Sequence, residues 1–274
     1  LRVLLTGSSG YIGRAVSEQL HRKADIVGLD LKPGPCTHHI GNICDPSLIS
    51  SLLERTDVVI HTASLHAPHV GHRDDAEFRK VNVEGTENLL ENALQSGIKR
   101  FVYTSTTSVY GCSGKNEGRA IWVTEEYDPH PLDIYDETKL GAEALCQRAS
   151  EKGMSVVCLR VSRCFPEPDY LVAFYRLYRG VDVRDVARGH ALAAKADVAG
   201  YHCFNLSGPT PFAPKDCADL WRDPWRVIER YYPEAESWFD ERQWKKPSRI
   251  DRVYVIGKAM RQLGYRPEYD WRHV

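Results

Sequence analysis

The chain has no apolar run approaching the roughly 18 residues that a membrane-spanning helix requires, so nothing in it reads as a membrane segment. It has no excess charge of either sign: 36 Lys and Arg stand against 37 Asp and Glu. That balance leaves neither the basic footprint of a nucleic-acid binder nor a patch that anionic lipid would attract. Its cysteines (Cys36, Cys44, Cys112, Cys146, Cys158, Cys164, Cys203 and Cys217) form no CxxC pair, and Cys158 and Cys203 sit in apolar, strand-like runs where a thiol behaves as a small hydrophobe. The expectation is reduced, structural thiols in a cytoplasmic protein. No internal repeat and no low-complexity linker interrupts the pattern. No secretory signal is visible, and because strand character begins at Leu1, a short leader and an initiator Met are expected ahead of it.

What is present is ample apolar material. With 274 residues, 42% of them hydrophobic, the chain can bury a sizeable core as one large α/β unit or as one domain with a small lobe. Short apolar runs alternate with amphipathic ones. Strands are predicted over Arg2–Thr6, Asp25–Asp30, Asp57–Ala63, Arg100–Thr106, Ser155–Val161 and Tyr201–Ser207. Helices are predicted over Tyr11–Arg22, Pro46–Arg55 behind an Asp45 N-cap, Asp74–Ser96 ending at Gly97, Ile134–Lys152 and Val183–Ala196. This order argues for a doubly wound parallel sheet of the Rossmann type. The tail, which holds most of the tryptophans, reads as a small lobe with short helices near Asp223–Tyr232 and Arg252–Leu263. The expected division is a Rossmann domain over 1–165, completed by about 183–208, and a substrate-binding lobe from 166–182 and 209–274.

Three motifs carry chemistry. In TGSSGYIG, Gly7, Gly10 and Gly13 lie between the first strand and the first helix. A dinucleotide pyrophosphate needs close backbone approach and free N–H groups at a helix N-terminus, which residues without a Cβ permit. Asp30, at the end of the second strand, can accept both adenosine-ribose hydroxyls and would repel a 2′-phosphate, favouring NAD over NADP. The second motif is Tyr135-Asp136-Glu137-Thr138-Lys139. Tyr and Lys four apart share a helix face, and an ammonium beside a phenol is expected to lower the phenol's pKa so that it can move a proton at neutral pH. Alone the string is common by chance; here it follows a nucleotide fingerprint at the right number of βα units. The third is Phe101–Gly111, where a strand ends in a cluster of hydroxyls at the edge of the sheet that binds ligands.

These motifs, with His61-Thr62-Ala63-Ser64 and Val81-Asn82-Val83-Glu84-Gly85-Thr86, occur in an order that resembles the extended short-chain dehydrogenases, the NAD-dependent epimerase/dehydratase family. The likeness is tight over about residues 1–165 and loose beyond. It implies Tyr135 as acid/base, Lys139 as its partner and a ribose contact, and Thr106 as the catalytic hydroxyl. It implies an NAD site of Gly7, Gly10, Tyr11, Ile12, Gly13 and Asp30, with Asn42-Ile43 by the adenine where the family usually has Asp-Ile. Ala63, Ser64 and Thr104 would complete that site. Substrate is expected against His66, Thr106, Thr107, Tyr135, Ser162 and Arg163. A homodimer through Asp74–Ser96 and Ile134–Lys152 is also implied by resemblance.

The family's dehydratases place Asp-Glu after the catalytic Thr. Here those positions are Thr107 and Ser108, so dehydration ranks low and epimerisation or dehydrogenation of a sugar-type substrate remains. Arg163-Cys164-Phe165-Pro166-Glu167-Pro168 is similar to a segment of the short uronate dehydrogenases, but the arginine that follows it there is Tyr170-Leu171-Val172 here. Arg163, Arg176 or Arg179 is the available substitute for gripping an anionic group. His66, His69 and His72 recur every three residues, yet Pro68 and Gly71 mark a loop without carboxylate or Cys ligands, and no metal is expected. A non-catalytic NAD-sensing regulator on the same fold is the alternative, against which both Tyr135 and Lys139 speak.

Overall fold

The structure is a computed structural model that describes residues 1–111 and 118–274; Cys112 lies outside them. The chain runs β1 (Arg2–Thr6), α1 (Tyr11–Leu20), β2 (Asp25–Asp30), β3 (His39–Ile40), α2 (Pro46–Leu53) and β4 (Val58–His61). It continues through α3 (Asp75–Phe78), α4 (Gly85–Gln95), β5 (Arg100–Thr106), β6 (Ile121–Val123), α5 (Ile134–Glu151), β7 (Ser155–Val161), α6 (Asp169–Arg176), α7 (Val183–Lys195) and β8 (Tyr201–Leu206). The tail adds α8 (Cys217–Arg222), α9 (Pro224–Tyr231), α10 (Ala235–Glu241), β9 (Arg252–Tyr254) and α11 (Gly257–Gln262).

Seven strands form one parallel sheet in the order β3-β2-β1-β4-β5-β7-β8. From β1 the chain winds outward to β3, returns to β4 on the other side of β1, and winds outward again. The carboxyl ends of β1 and β4 therefore flank the crevice where such sheets bind ligands. The central strands read as unbroken apolar runs because helices cover both faces. Side chains alternate across the pleat: Leu4 and Val59 join a core with Ile49, Leu89 and Ala142, while Val3, Leu5 and Ile60 join one with Val16, Leu20 and Ala187. A third core gathers Ala173, Leu177, Phe212, Leu220, Phe239 and Trp271 beneath the tail helices.

Several expectations need correction. The run Asp74–Ser96 is not one α-helix: a π-helical segment, Arg79–Glu84, separates α3 from α4. It sets Asn82 in a buried position, where its side chain accepts the Leu65 N–H at 2.8 Å and donates to the Leu65 carbonyl and the Thr138 hydroxyl. The region Arg252–Leu263 opens as strand β9, paired in parallel with β6, and turns helical only at Gly257. Its Val253-Tyr254-Val255-Ile256 run suits a pleated surface better than a helix. The helix predicted to Arg22 stops at Leu20, and Arg22 takes a left-handed φ of 63°. The strand predicted over Asp57–Ala63 is shorter, Val58–His61. The seven described cysteines are free.

The Asp45 cap is in place: its carboxylate accepts the N–H groups of Ser47 and Leu48 at 3.0 and 3.1 Å. Asp45→Ala should cost about 1 kcal/mol. A urea titration that finds stability unchanged would show that α2 does not depend on this cap.

Candidate active site

A cavity of about 650 Å³ opens over the carboxyl ends of the central strands. At one end lies the glycine turn. Gly7 has φ +72°, and a Cβ on it would meet the Ala63 nitrogen at 2.6 Å; one on Gly13 would meet the Gly7 oxygen at 2.1 Å. Gly10 caps α1 with no side chain to take the first-turn N–H groups of Tyr11, Ile12 and Gly13, and all four residues line the cavity. The helix thus presents donors and the positive end of its dipole to the space beside the turn. Asp30 sits at the rim, its oxygens accepting the N–H groups of Ser9 and Lys32 at 2.9 and 3.0 Å. Each oxygen retains a lone pair for a hydroxyl donor. Asn42 and Ile43 line the adjoining wall; the Asn42 amide oxygen already accepts the Cys44 N–H at 2.9 Å.

The middle of the cavity is built by β5, the following turn and α5. Ala63 and Ser64 line it, and Ser64 donates to the Leu65 carbonyl and to Asn82. Thr106 lines the wall and caps the turn Thr107–Tyr110, accepting the Ser108 N–H at 3.1 Å. Asp133 caps α5 by accepting the Asp136 N–H, and that start point turns Tyr135 and Lys139 toward the cavity. Lys139 is 2% exposed. Its ammonium donates to the Thr104 carbonyl at 2.6 Å and stands 4.3 Å over the Tyr103 ring. Burial pushes the lysine down to about 8.

Here the sequence expectation is corrected. The Tyr135 phenol stands above its ordinary value, not below it: burial raises it, the neighbouring Asp136 and Asp133 add to this, and a hydrogen bond with the Thr106 hydroxyl works the other way. The partner of the lysine is the Thr104 carbonyl, and burial is the largest influence on the phenol.

The far end is lined by His66, Thr107, Ser162, Arg163 and Phe165. Ser162 donates to Ser207 at 3.0 Å. Arg163 is held bidentate by Glu167 at 2.9 and 2.6 Å, so its charge is already answered. Arg176 lies off the cavity, paired with Asp182 at 2.7 Å. Arg179 does line the cavity; it stacks on Tyr175 at 4.6 Å, and its buried Nε has no hydrogen-bond partner among the described residues. Arg252 and Tyr254 reach the same wall from β9, which the helix reading of that stretch concealed.

His66 borders the cavity from an exposed position, its ring 4.4 Å from that of His69, and desolvation lowers both imidazoles. The His66–His69–His72 loop does not gather three ligand atoms. Among the described residues the triplet that comes within ligand distance is Glu143, Cys158 and Cys203. The Glu143 carboxylate there is occupied by Arg160, at 3.0 and 2.7 Å, and by Ser105 at 2.5 Å. A guanidinium in that position stands against a cation.

Fold and site together define a dinucleotide-binding Rossmann enzyme in which Tyr135 and Lys139 of α5 line a cavity beside the end of the fifth strand. The chain belongs to the NAD-dependent epimerase/dehydratase family, whose sequence profile matches residues 3–168. An uncharacterized protein of Sinorhizobium fredii is 34% identical, over 97% of this chain and 74% of its own length. A decarboxylating sterol-4-alpha-carboxylate 3-dehydrogenase of Candida albicans is 27% identical, over 98% and 93%. Among solved structures, MoeE5 in complex with UDP-glucose and NAD superposes with a TM-score of 0.74 at 22% identity, covering 99% of this chain and 95% of that one. NAD is the cofactor, and the Cβ-free cradle and uncapped helix end fit its pyrophosphate. No helix of the described residues is long and apolar enough to cross a membrane.

Gly13→Ala should weaken NAD binding at least about 10-fold, since the added carbon collides with backbone; wild-type affinity by calorimetry would remove the turn from the cofactor site. His61 and His190 are fully buried, and burial lowers them to about 3 and about 4. Between pH 6.5 and about 4 the unfolded chain binds protons there that the fold refuses. Stability in urea should therefore fall as pH drops through that window, and fall less steeply in His61→Asn.

Proposed function

We propose that this protein oxidises a hydroxyl carbon of a sugar-type substrate that carries an anionic group, as a dehydrogenase or an epimerase rather than a dehydratase. When bound, NAD supplies the hydride acceptor. Tyr135 takes the hydroxyl proton as the carbon–hydrogen bond breaks, and returns it in the reverse direction. Thr106 orients the reacting oxygen against the phenol, both residues lining the same cavity. Lys139 supplies positive charge that favours the phenolate once the alcohol and cofactor enclose the site. Gly7, Gly10, Tyr11, Ile12, Gly13 and Asp30 hold the pyrophosphate and adenosine ribose; Asn42, Ile43, Ala63, Ser64 and Thr104 line the remainder. His66, Thr107, Ser162 and Arg163 shape the substrate end. The lobe formed by 166–182 and 209–274 closes that end, and we infer a cytoplasmic homodimer.

The observation that carries the reading is the convergence of Thr106, Tyr135 and Lys139 on one cavity with the glycine turn. Arg179 supports the anionic group: a guanidinium that lines a cavity with its Nε unsatisfied suits a carboxylate or phosphate. The Thr107-Ser108 turn, without a carboxylic acid, supports setting dehydration aside. A second reading, a carbocyclic alcohol such as a carboxylated sterol, is favoured by Leu65, Leu132, Phe165 and Pro166 along the same walls and by the sterol dehydrogenase relative.

The test follows NADH absorbance over aldoses, uronates, UDP-sugars and a 4-carboxysterol, with Tyr135→Phe as the blank. Tyr135→Phe should lose at least about 100-fold in kcat. Arg179→Ala should raise KM for an anionic substrate with little change in kcat. Tight NAD binding with no net NADH from any single alcohol would favour an epimerase over a dehydrogenase, and absence of sugar interconversion as well would favour the sensor alternative.

A further inference from the structure

We propose that His190 is a positioning residue of the active site: through Thr104 it fixes the backbone carbonyl that holds the Lys139 ammonium. The inference rests on the Tyr–Lys reading above.

β4 ends opposite Tyr103, whereas β5 runs on beside β7 to Thr106. Thr104 is thus the first residue of β5 beyond its neighbour on that side, and its carbonyl is the hydrogen-bond acceptor of Lys139 at 2.6 Å. A carbonyl at the free end of a strand is less constrained than one inside a ladder on both sides. What steadies it is the side chain of the same residue. The Thr104 hydroxyl lies 2.8 Å from Nε2 of His190, a fully buried residue of α7.

The tautomer follows from the other ring nitrogen. His190 Nδ1 lies 2.8 Å from the Val186 carbonyl, which can only accept, so Nδ1 carries the proton. Nε2 is then an acceptor and the Thr104 hydroxyl must donate to it. That leaves the hydroxyl only acceptor capacity toward the cavity that Thr104 lines. Burial lowers His190 to about 4, so the ring stays neutral and this pattern holds across the working pH range. Close packing brings α7 to the sheet: a Cβ on the adjacent Gly189 would lie 2.5 Å from Leu206 of β8. The relay runs from Val186 through His190 and Thr104 to Lys139.

A histidine that merely filled the core would leave the lysine unaffected. A positioning histidine would not. If the Thr104 carbonyl loosens, the buried ammonium loses the acceptor that favours its charged form, and its pKa falls further below about 8. The titrating groups facing Lys139 are Tyr103 on β5, Cys158 on β7, Glu143 and Cys146 on its own helix, and His61 and His66.

The experiment is a pH titration of the Lys139 Cε resonance by NMR in the full chain, with NAD absent. His190→Leu and Thr104→Val remove the bond from either side, and His190→Gln offers an amide oxygen in place of Nε2. The lysine should titrate lower by about half a pH unit or more in the first two and stay near wild type in the third. With a substrate from the panel, kcat should fall on the order of 10-fold in His190→Leu, with its alkaline limb moved downward. Where His190→Leu does not fold, Thr104→Val carries the test. An unchanged Lys139 titration in a folded variant overturns the proposal. Loss of the enzymatic reading is separate: it would appear as Tyr135→Phe and Lys139→Met turning over like wild type.

Discussion

A lysine ammonium held almost out of water by one backbone carbonyl is the contact around which this site is organised. Burying a charge is costly unless it is answered, and here the answers are a dipole, an aromatic face and, one helical turn further along α5, the Glu143 carboxylate. Each comes from an element that serves another purpose. β5 supplies the carbonyl because it outruns β4, one strand beyond the point where the winding of the sheet reverses. The lysine reaches it because Asp133 starts α5 at the phase that sets both Tyr135 and Lys139 on the cavity side. Fold and chemistry are joined at that strand end.

The same economy governs the rest of the cavity. The glycine turn admits a pyrophosphate because added carbons would strike backbone, and it is pinned to β2 where Gly7 donates to the Leu29 carbonyl at 2.8 Å. Asp30 extends from that strand, held by two N–H groups. At the opposite end the guanidiniums differ in what they have to spare. Arg163 is answered by Glu167, while Arg179 lies against aromatic rings with Nε unsatisfied. Selectivity for substrate charge would then rest on the second of them.

Much of this was legible in the sequence. The spans of β1, β2, β5 and β7 match because each is an apolar run buried on both faces with its bounds set by turns or charges. The glycine spacing and Asp30 could be read from the demands of a pyrophosphate and a ribose, Tyr135 and Lys139 from their spacing on one helix face, and Thr106 from the family resemblance; the structure gathers them on one cavity. What the sequence concealed depends on distant partners. β9 is a strand only because β6 lies beside it. The direction of the Tyr135 shift depends on burial, which spacing within a helix cannot report. His190 sits far along the chain from Thr104, and only the packing of α7 on the sheet joins them.

The π-helical segment between α3 and α4 has an evolutionary reading. One wide turn absorbs one residue beyond what an α-helix of the same rise would hold. Deleting a single position there would close that turn to the α pitch and leave Leu89, Leu90 and Ala93 in phase with the core they fill, but would draw Asn82 away from Leu65 and Thr138. The extra residue is kept by the hydrogen bonds of Asn82, not by the packing that follows it. Descendants of this chain that shed it would keep the helix and lose that buried amide.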